Sequence, residues 1–183
     1  MQQAIVVKSP KAPFTVESLP IPTPAKGEIL VKIHSVALNP INWKQRAFNV
    51  LVDEYPVVLG SDVAGVVEQV SEDAQGFAKG DRVYVPISSK RLDADENSFA
   101  CVLHGGFQQY IAFPAAIALP IPDNITYDQV STFPIAFHTA CVGLFAPAPI
   151  GIGLNPTFSW DKPQQGESAL VIGSGSVAQF GSR

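Results

Sequence analysis

Residues 59–70 read Leu-Gly-Ser-Asp-Val-Ala-Gly-Val-Val-Glu-Gln-Val, and this stretch decides the fold. Its apolar residues are too continuous for a strand with one wet face and predict a strand buried on both faces. Gly60 and Gly65 are expected where a side chain would obstruct a turn or a close backbone approach. Asp62 is a carboxylate inside the apolar run and needs a partner. It either satisfies backbone N–H groups or lies on the floor of an active-site cleft.

The composition is that of a folded domain. Of 183 residues, 46% are hydrophobic and 15% are charged, which provides a sizeable core. A net charge of −4 without a basic block gives no support to nucleic-acid or membrane partners. Two cysteines and no run of signal-peptide or membrane-spanning length predict a cytoplasmic protein. Sixteen Pro and fourteen Gly indicate many short elements, typical of a mainly β domain with short helices.

Local patterns predict the individual elements. Helices are expected to start at Pro40 behind the N-cap Asn39, at the capping box of Thr126 with Gln129, and at Pro134, the last ending near residue 145. Residues 50–58 are expected to form a loop. Strands are predicted at 3–7, 14–19, 29–36, near 83–85, near 107–111, at 117–119 and at 168–172.

The C-terminal stretch is a candidate phosphate-binding turn. Residues 168–172 are followed by Gly173, Ser174, Gly175, Ser176, Val177 and Ala178, which fit G-x-G-x-x-[G/A] after a strand. Glycines there let the backbone approach a pyrophosphate. An ordinary glycine-rich turn is the alternative. Because the chain stops at Arg183, we expect a fragment or a truncated gene product.

The central stretch resembles a known family. Residues 60–67 resemble the glycine-framed motif of the medium-chain dehydrogenase/reductase superfamily. Its zinc enzymes carry a metal-binding His where this chain has Ser61, a Cys where it has Asn39 and a third ligand where it has Ile135. Cys101 stands alone where those enzymes have a four-cysteine zinc lobe. The resemblance therefore implies a zinc-independent member.

The resemblance also implies a domain organisation. Residues 1–147 are expected to form a GroES-like, partly open β-barrel, and residues 148–166 a linker. Residues 167–183 would then be the first strand and turn of a truncated Rossmann dinucleotide-binding domain.

A second segment, Asn39-Pro40-Ile41-Asn42-Trp43-Lys44, is similar to the Asn-Pro-x-Asp-x-Lys segment of quinone oxidoreductases and fungal trans-enoyl reductases. The resemblance implies that Ile41, Asn42, Trp43 and Lys44 line the nicotinamide-ribose end of NADPH. A lysine at a helix edge can donate to ribose hydroxyls or phosphate. A surface lysine that merely extends into water is the alternative.

A third segment is expected to border the substrate pocket. The resemblance places substrate-binding residues at Phe133, Pro134, Phe137, His138, Thr139 and Ala140, with Thr139 on the nicotinamide side. His138 is either an acid or, as we expect, a packed helix histidine. His34 is expected to be a half-exposed strand residue, and Tyr55 is an unsupported candidate acid.

Together these segments imply a reductase. The implied reaction is NADPH-dependent reduction of an activated C=C bond, as in an enoyl thioester, or of a quinone, with a polyketide synthase as a partner. Lys44 and Thr139 would position cofactor and substrate, and residues 173–177 would bind the cofactor. Little activity is expected from the 183 residues alone. A non-catalytic GroES-like binding module and a zinc alcohol dehydrogenase with unusual ligands are the alternatives.

Overall fold

The computed structural model describes residues 1–52, 54–86, 105–155, 160–161 and 164–182. The chain divides into two compact units, Met1–Thr132 and Phe133–Arg183. The domain boundaries expected after residues 147 and 166 stay predictions.

The first unit consists mostly of strands. Its elements are β1 (Gln2–Val7), β2 (Phe14–Leu19), β3 (Glu28–Val36), α1 (Pro40–Phe48), β4 (Val57–Val58), β5 (Asp62–Val70), β6 (Arg82–Pro86), β7 (Tyr110–Pro114), β8 (Leu119–Pro120) and α2 (Tyr127–Ser131). The second unit contains α3 (Pro134–Phe145) and α4 (Ser176–Gly181). The predicted class, mainly β with short helices, is confirmed.

Two antiparallel sheets hold the first unit together. One has the strand order β2-β1-β4 and the other β7-β3-β5-β6-β8, so the quoted stretch supplies the central strand of the larger sheet. Both neighbours of β5 are antiparallel to it. The main apolar core lies on this sheet and includes Ile29, Val31, Val63, Val67, Val83, Val85, Ile111 and Phe113.

The burial of β5 changes along its length. Residues 62–65 are buried, as predicted for a strand covered on both faces. Beyond Gly65 the burial decreases: Val67 is still buried, but Val66, Glu68 and Val70 are half-buried and Gln69 is exposed, so the prediction is wrong for the far end of the strand.

The two glycines of the stretch are required by close contacts. A Cβ at Gly65 would overlap with the carbonyl oxygen of Lys32 on β3. Gly60 has φ of +101°, and a Cβ there would lie 2.7 Å from the ring of Phe107. Both predictions for these glycines are confirmed.

Residues 105–109 join the two sheets. The N–H of Ile5 on β1 donates to the carbonyl of Phe107 at 2.8 Å, and the N–H of Phe107 donates to Leu59 at 2.9 Å. The buried side chains of Gln2 and Gln108 are hydrogen-bonded at 2.9 Å. Main-chain and side-chain bonds therefore connect the small sheet to the start of the quoted stretch.

Helix starts are where the local signals place them. α1 begins at Pro40, and α3 spans Pro134–Phe145 as predicted. At α2 the N–H of Gln129 donates to Thr126 Oγ1 at 3.2 Å, while Gln129 Oε1 accepts from the N–H of Thr126 at 3.0 Å. This reciprocal pair is the predicted capping box.

Three local predictions are wrong. The expected loop at 50–58 ends in β4, where Val57 and Val58 pair with β1. The expected strand at 117–119 is a 3₁₀ turn, Ala115–Ile117, followed by β8. Residues 168–172 form no strand, because no described residue supplies a paired neighbour, and Leu170 and Ile172 are 86% and 88% exposed.

The start of the predicted linker is hydrogen-bonded to the C-terminal end of α3. The N–H groups of Ile152, Gly153 and Leu154 donate to the carbonyls of Gly143, Ala146 and Leu144 at 2.9–3.0 Å. These bonds satisfy carbonyls that the end of a helix leaves open.

The Gly65 contact gives a first testable prediction. We expect Gly65→Ala to lower the free energy of unfolding by about 2–3 kcal/mol, because a methyl group has no room between β5 and β3. Gly27→Ala is the matched control. Gly27 has φ of +76° and open space around it, so it loses only about 1 kcal/mol through its left-handed backbone. Urea unfolding measures both variants, and equal losses would contradict the close approach.

Candidate functional site

A side-chain hydrogen bond links the start of α1 to the centre of the large sheet. The β3–β5 pairing continues past Val36, where the N–H of Ala37 donates to the carbonyl of Asp62 at 3.0 Å. Two residues later, Asn39 Nδ2 donates to Asp62 Oδ2 at 2.9 Å. Asp62 is completely buried. The carboxylate that needed a partner is therefore matched by an amide of the segment that follows β3.

The hydrogen bond between Asn39 and Asp62 was not predicted from the sequence, although the sequence singles out both residues, one as an N-cap and the other as a buried carboxylate. The signal that could have found it is strand register. If β3 and β5 are antiparallel neighbours ending near Val36 and Asp62, the residues just beyond Val36 must lie beside Asp62. Spacing alone does not show this, because the two residues are 23 positions apart.

The first turn of α1 is closed by two asparagines. The N–H of Asn39 donates to Asn42 Oδ1 at 2.9 Å, and the N–H of Asn42 donates to the carbonyl of Asn39 at 3.0 Å. Asn42 is only 4% exposed. Its Nδ2 group is buried and has no hydrogen-bond partner among the described residues. The predicted cofactor residue Asn42 thus has a structural task and an unsatisfied donor.

The other three predicted residues of this segment are more accessible. Trp43 is 52% exposed and its ring lies 5.6 Å from that of Phe48. Lys44 is exposed, with Nζ 5.9 Å from the Trp43 ring, and it forms no ion pair with a described residue. Ile41 is half-buried. An exposed ammonium beside an indole can meet a ligand, and it can equally be a solvated surface lysine.

Tyr55 and His34 are both held by other side chains. Tyr55 Oη donates to Asn49 Oδ1 at 2.7 Å, and burial raises the pKa of Tyr55, which makes it a weaker acid. His34 is exposed rather than half-exposed and stacks on Tyr127 at 4.6 Å between ring centroids.

In the second unit, an aromatic cluster joins the two helices. Phe133 and Phe137 are stacked 4.4 Å apart at the start of α3. Phe180 of α4 meets them edge-on at 5.3 and 5.9 Å. These two predicted substrate residues therefore pack against the helix that follows the glycine-rich turn.

The remaining predicted residues of α3 fall on two faces. Pro134 and Ala140 are buried, whereas His138 and Thr139 are exposed. The expectation that His138 is packed is wrong, since its position on the helix points away from the buried Ala136 and Ala140. Lys44 lies in the first unit and Thr139 in the second.

The glycine-rich turn is open to solvent. Gly173, Ser174, Gly175, Ser176 and Val177 are all exposed, and α4 begins at Ser176. Gly173 has φ of +128°, and a Cβ at Gly175 would meet nothing within 4 Å. The backbone here is accessible to a large ligand, but the sheet that would hold the turn is absent from the described residues.

The positions expected to replace zinc ligands do not suit a metal. Asn39 donates its side-chain Nδ2 to the carboxylate of Asp62, Ser61 is half-buried, and Ile135 offers no ligand atom. Within the described ranges no group of three His, Cys, Asp or Glu could hold a metal ion. Cys101 lies outside those ranges, and Cys141 is a half-buried free thiol.

No described helix has the length and apolar character needed to cross a membrane.

Known proteins resemble this chain over most of its length. The family model of the alcohol dehydrogenase GroES-like domain matches residues 25–123. The trans-enoyl reductase tazE of Aspergillus terreus is 32% identical over 182 residues, covering 97% of this chain and 56% of that protein. The zinc-binding alcohol dehydrogenase domain-containing protein cipB of Emericella nidulans is 36% identical over 136 residues, covering 73% and 40%.

A solved structure shows the same fold. A mycobacterial protein in complex with NADPH is 25% identical, with a TM-score of 0.64, and the match covers 82% of this chain and 42% of that one. The chain thus spans about half the length of the relatives it matches. With its GroES-like domain and these relatives, the chain belongs to the medium-chain dehydrogenase/reductase superfamily.

Proposed function

We propose that this chain is the GroES-like part of an NADPH-dependent, zinc-independent reductase. The proposed reaction is hydride transfer to an activated C=C bond, as in an enoyl thioester, or to a quinone. The trans-enoyl reductase among the relatives supports the C=C reaction, and the relative solved with NADPH supports the cofactor. A polyketide synthase as partner and a cytoplasmic location follow from the resemblance and the composition and are part of the proposal.

The observation that carries the proposal is the hydrogen bond from Asn39 to Asp62. It puts an amide donor against a carboxylate at a position where the zinc members of the superfamily hold a metal ligand. Without a metal, a developing enolate has to be stabilised by hydrogen-bond donors. The exposed ammonium of Lys44 on α1 would be a donor of that kind.

Each site residue expected from the sequence has a role in this proposal. NADPH, when bound, supplies the hydride. Ile41, Asn42, Trp43 and Lys44 would face its nicotinamide ribose, and the open backbone of residues 173–177 would face its pyrophosphate. Phe133, Pro134, Phe137, His138, Thr139 and Ala140 would border the substrate, with Thr139 positioning it.

The second candidate is a non-catalytic GroES-like binding module. The unpaired, exposed segment 168–172 favours it, because a phosphate-binding turn depends on the strand that holds it. For the 183 residues alone we therefore expect weak NADPH binding and little turnover.

Binding of NADPH tests the proposed role of α1. In a Trp160→Phe background, Trp43 is the remaining tryptophan, and we expect NADPH to quench its fluorescence. Lys44→Ala should weaken binding by about fivefold, through loss of one hydrogen bond or ion pair. Lys26→Ala, which removes an exposed lysine paired with Asp73, is the matched control and should change nothing.

Two results would contradict this role of α1. Absence of quenching at millimolar NADPH would favour the binding module. Equal weakening by both lysine substitutions would show only a general effect of charge.

Metal analysis separates the zinc alternative. We expect the purified chain to contain far less than one zinc per molecule, because positions 39, 61 and 135 offer no thiolate or imidazole. Elemental analysis by mass spectrometry after growth in zinc-supplemented medium measures this, with a structural zinc protein purified in parallel as the control. Stoichiometric zinc that survives desalting would contradict the zinc-independent assignment. It would favour a zinc alcohol dehydrogenase with unusual ligands, in line with the name of the relative cipB.

A further inference from the structure

Helix α1 is attached to the rest of the first unit in an unusual way. A surface helix is normally held by an apolar stripe that it buries against the core. Among the nine residues of α1, the buried one is Asn42, and the largest side chains, Trp43 and Phe48, are 52% and 60% exposed. Polar contacts must therefore account for much of what fixes the helix.

Those polar contacts lead back to Asp62. Asp62 Oδ2 accepts from Asn39 Nδ2 at 2.9 Å, and the carbonyl of Asp62 accepts from Ala37 at 3.0 Å. Asn39 in turn donates its backbone N–H to Asn42 Oδ1 at 2.9 Å. The chain of bonds runs from the centre of the sheet into the first turn of the helix.

A carboxylate is well suited to this place in the chain of bonds. A carboxamide has one donor end and one acceptor end, and only the donor end can face an oxygen that accepts. Asp62 therefore fixes which way the Asn39 side chain is turned. Because Asp62 is fully buried, water is not available to replace this bond.

We propose that Asp62 is a positioning residue, which sets the orientation of α1, and with it Trp43 and Lys44, by holding the carboxamide of Asn39. A further helical contact, from Arg46 Nε to the carbonyl of Ala12 at 2.8 Å, holds the other end of α1. The two polar contacts define the direction of the helix, and the one through Asp62 controls its start. The consequence for cofactor binding rests on the function proposed above, whereas the orientation of α1 does not.

A charge swap tests the pairing in the free protein. Asn39→Asp places two carboxyl groups against each other and should reduce the hydrogen-exchange protection of the α1 amides by about tenfold. In Asn39→Asp with Asp62→Asn, the amide and the carboxylate have exchanged places, and protection should return. Asp is as good an N-cap as Asn, so capping itself is preserved. The amides of α2 are the internal control and should not change.

The outcomes distinguish the positioning role of Asp62 from the cofactor role of α1. An unchanged α1 in Asn39→Asp, or no recovery in the double variant, would overturn the positioning role. If Asn39→Asp does not fold, Asn39→Gly keeps an acceptable N-cap and removes the side-chain donor altogether, and it should loosen α1 in the same way. Loss of protection together with unchanged NADPH quenching of Trp43 would support the role of Asp62 and contradict the cofactor role of α1.

Discussion

The burial of one carboxylate in an apolar sheet is the constraint on which this structure depends. Asp62 lies in the central strand with no exposed surface. A buried charge without a partner costs several kcal/mol, so the fold must place hydrogen-bond donors beside the carboxylate of Asp62. Asn39 supplies one such donor through its side-chain amide, while the N–H of Ala37 donates to the main-chain carbonyl of Asp62 and holds the segment beside β5. The path of the chain from β3 into α1 is therefore set by the needs of β5.

Two glycines, which have no side chain, set the remaining geometry around this strand. β3 approaches β5 closely because Gly65 has no Cβ, and residues 105–107 reach the start of the stretch because Gly60 leaves room for Phe107. The second approach carries the hydrogen bonds that connect the two sheets. The same short stretch thus provides the core, the polar anchor and the close contacts. A strand with more side chain at those two positions would have to separate from its neighbours.

The sequence predicted what is encoded locally and missed what depends on distant partners. The starts of α1, α2 and α3 were found because a capping residue or a proline acts on its own neighbours. Val57 and Val58 became a strand only because β1 offers them an edge. The apolar segment 168–172 has strand composition, yet no described neighbour pairs with it. The candidate site follows the same division, since the role of residues 41–44 is proposed from a resemblance in a local segment, whereas the Asn39–Asp62 hydrogen bond depends on strand register and was not predicted.

The way α1 is held bears on what the protein can do. The Nδ2 group of Asn42 is buried without a described partner, and such a group costs about 1–3 kcal/mol relative to an apolar replacement. A helix selected only for stability would bury leucine there and cover its aromatic residues. Instead α1 keeps Trp43 and Lys44 accessible and relies on polar bonds for its direction. A fixed, accessible set of polar groups at the expense of local stability is what a binding site requires, and this supports the proposal that the functional surface of the first unit lies at α1.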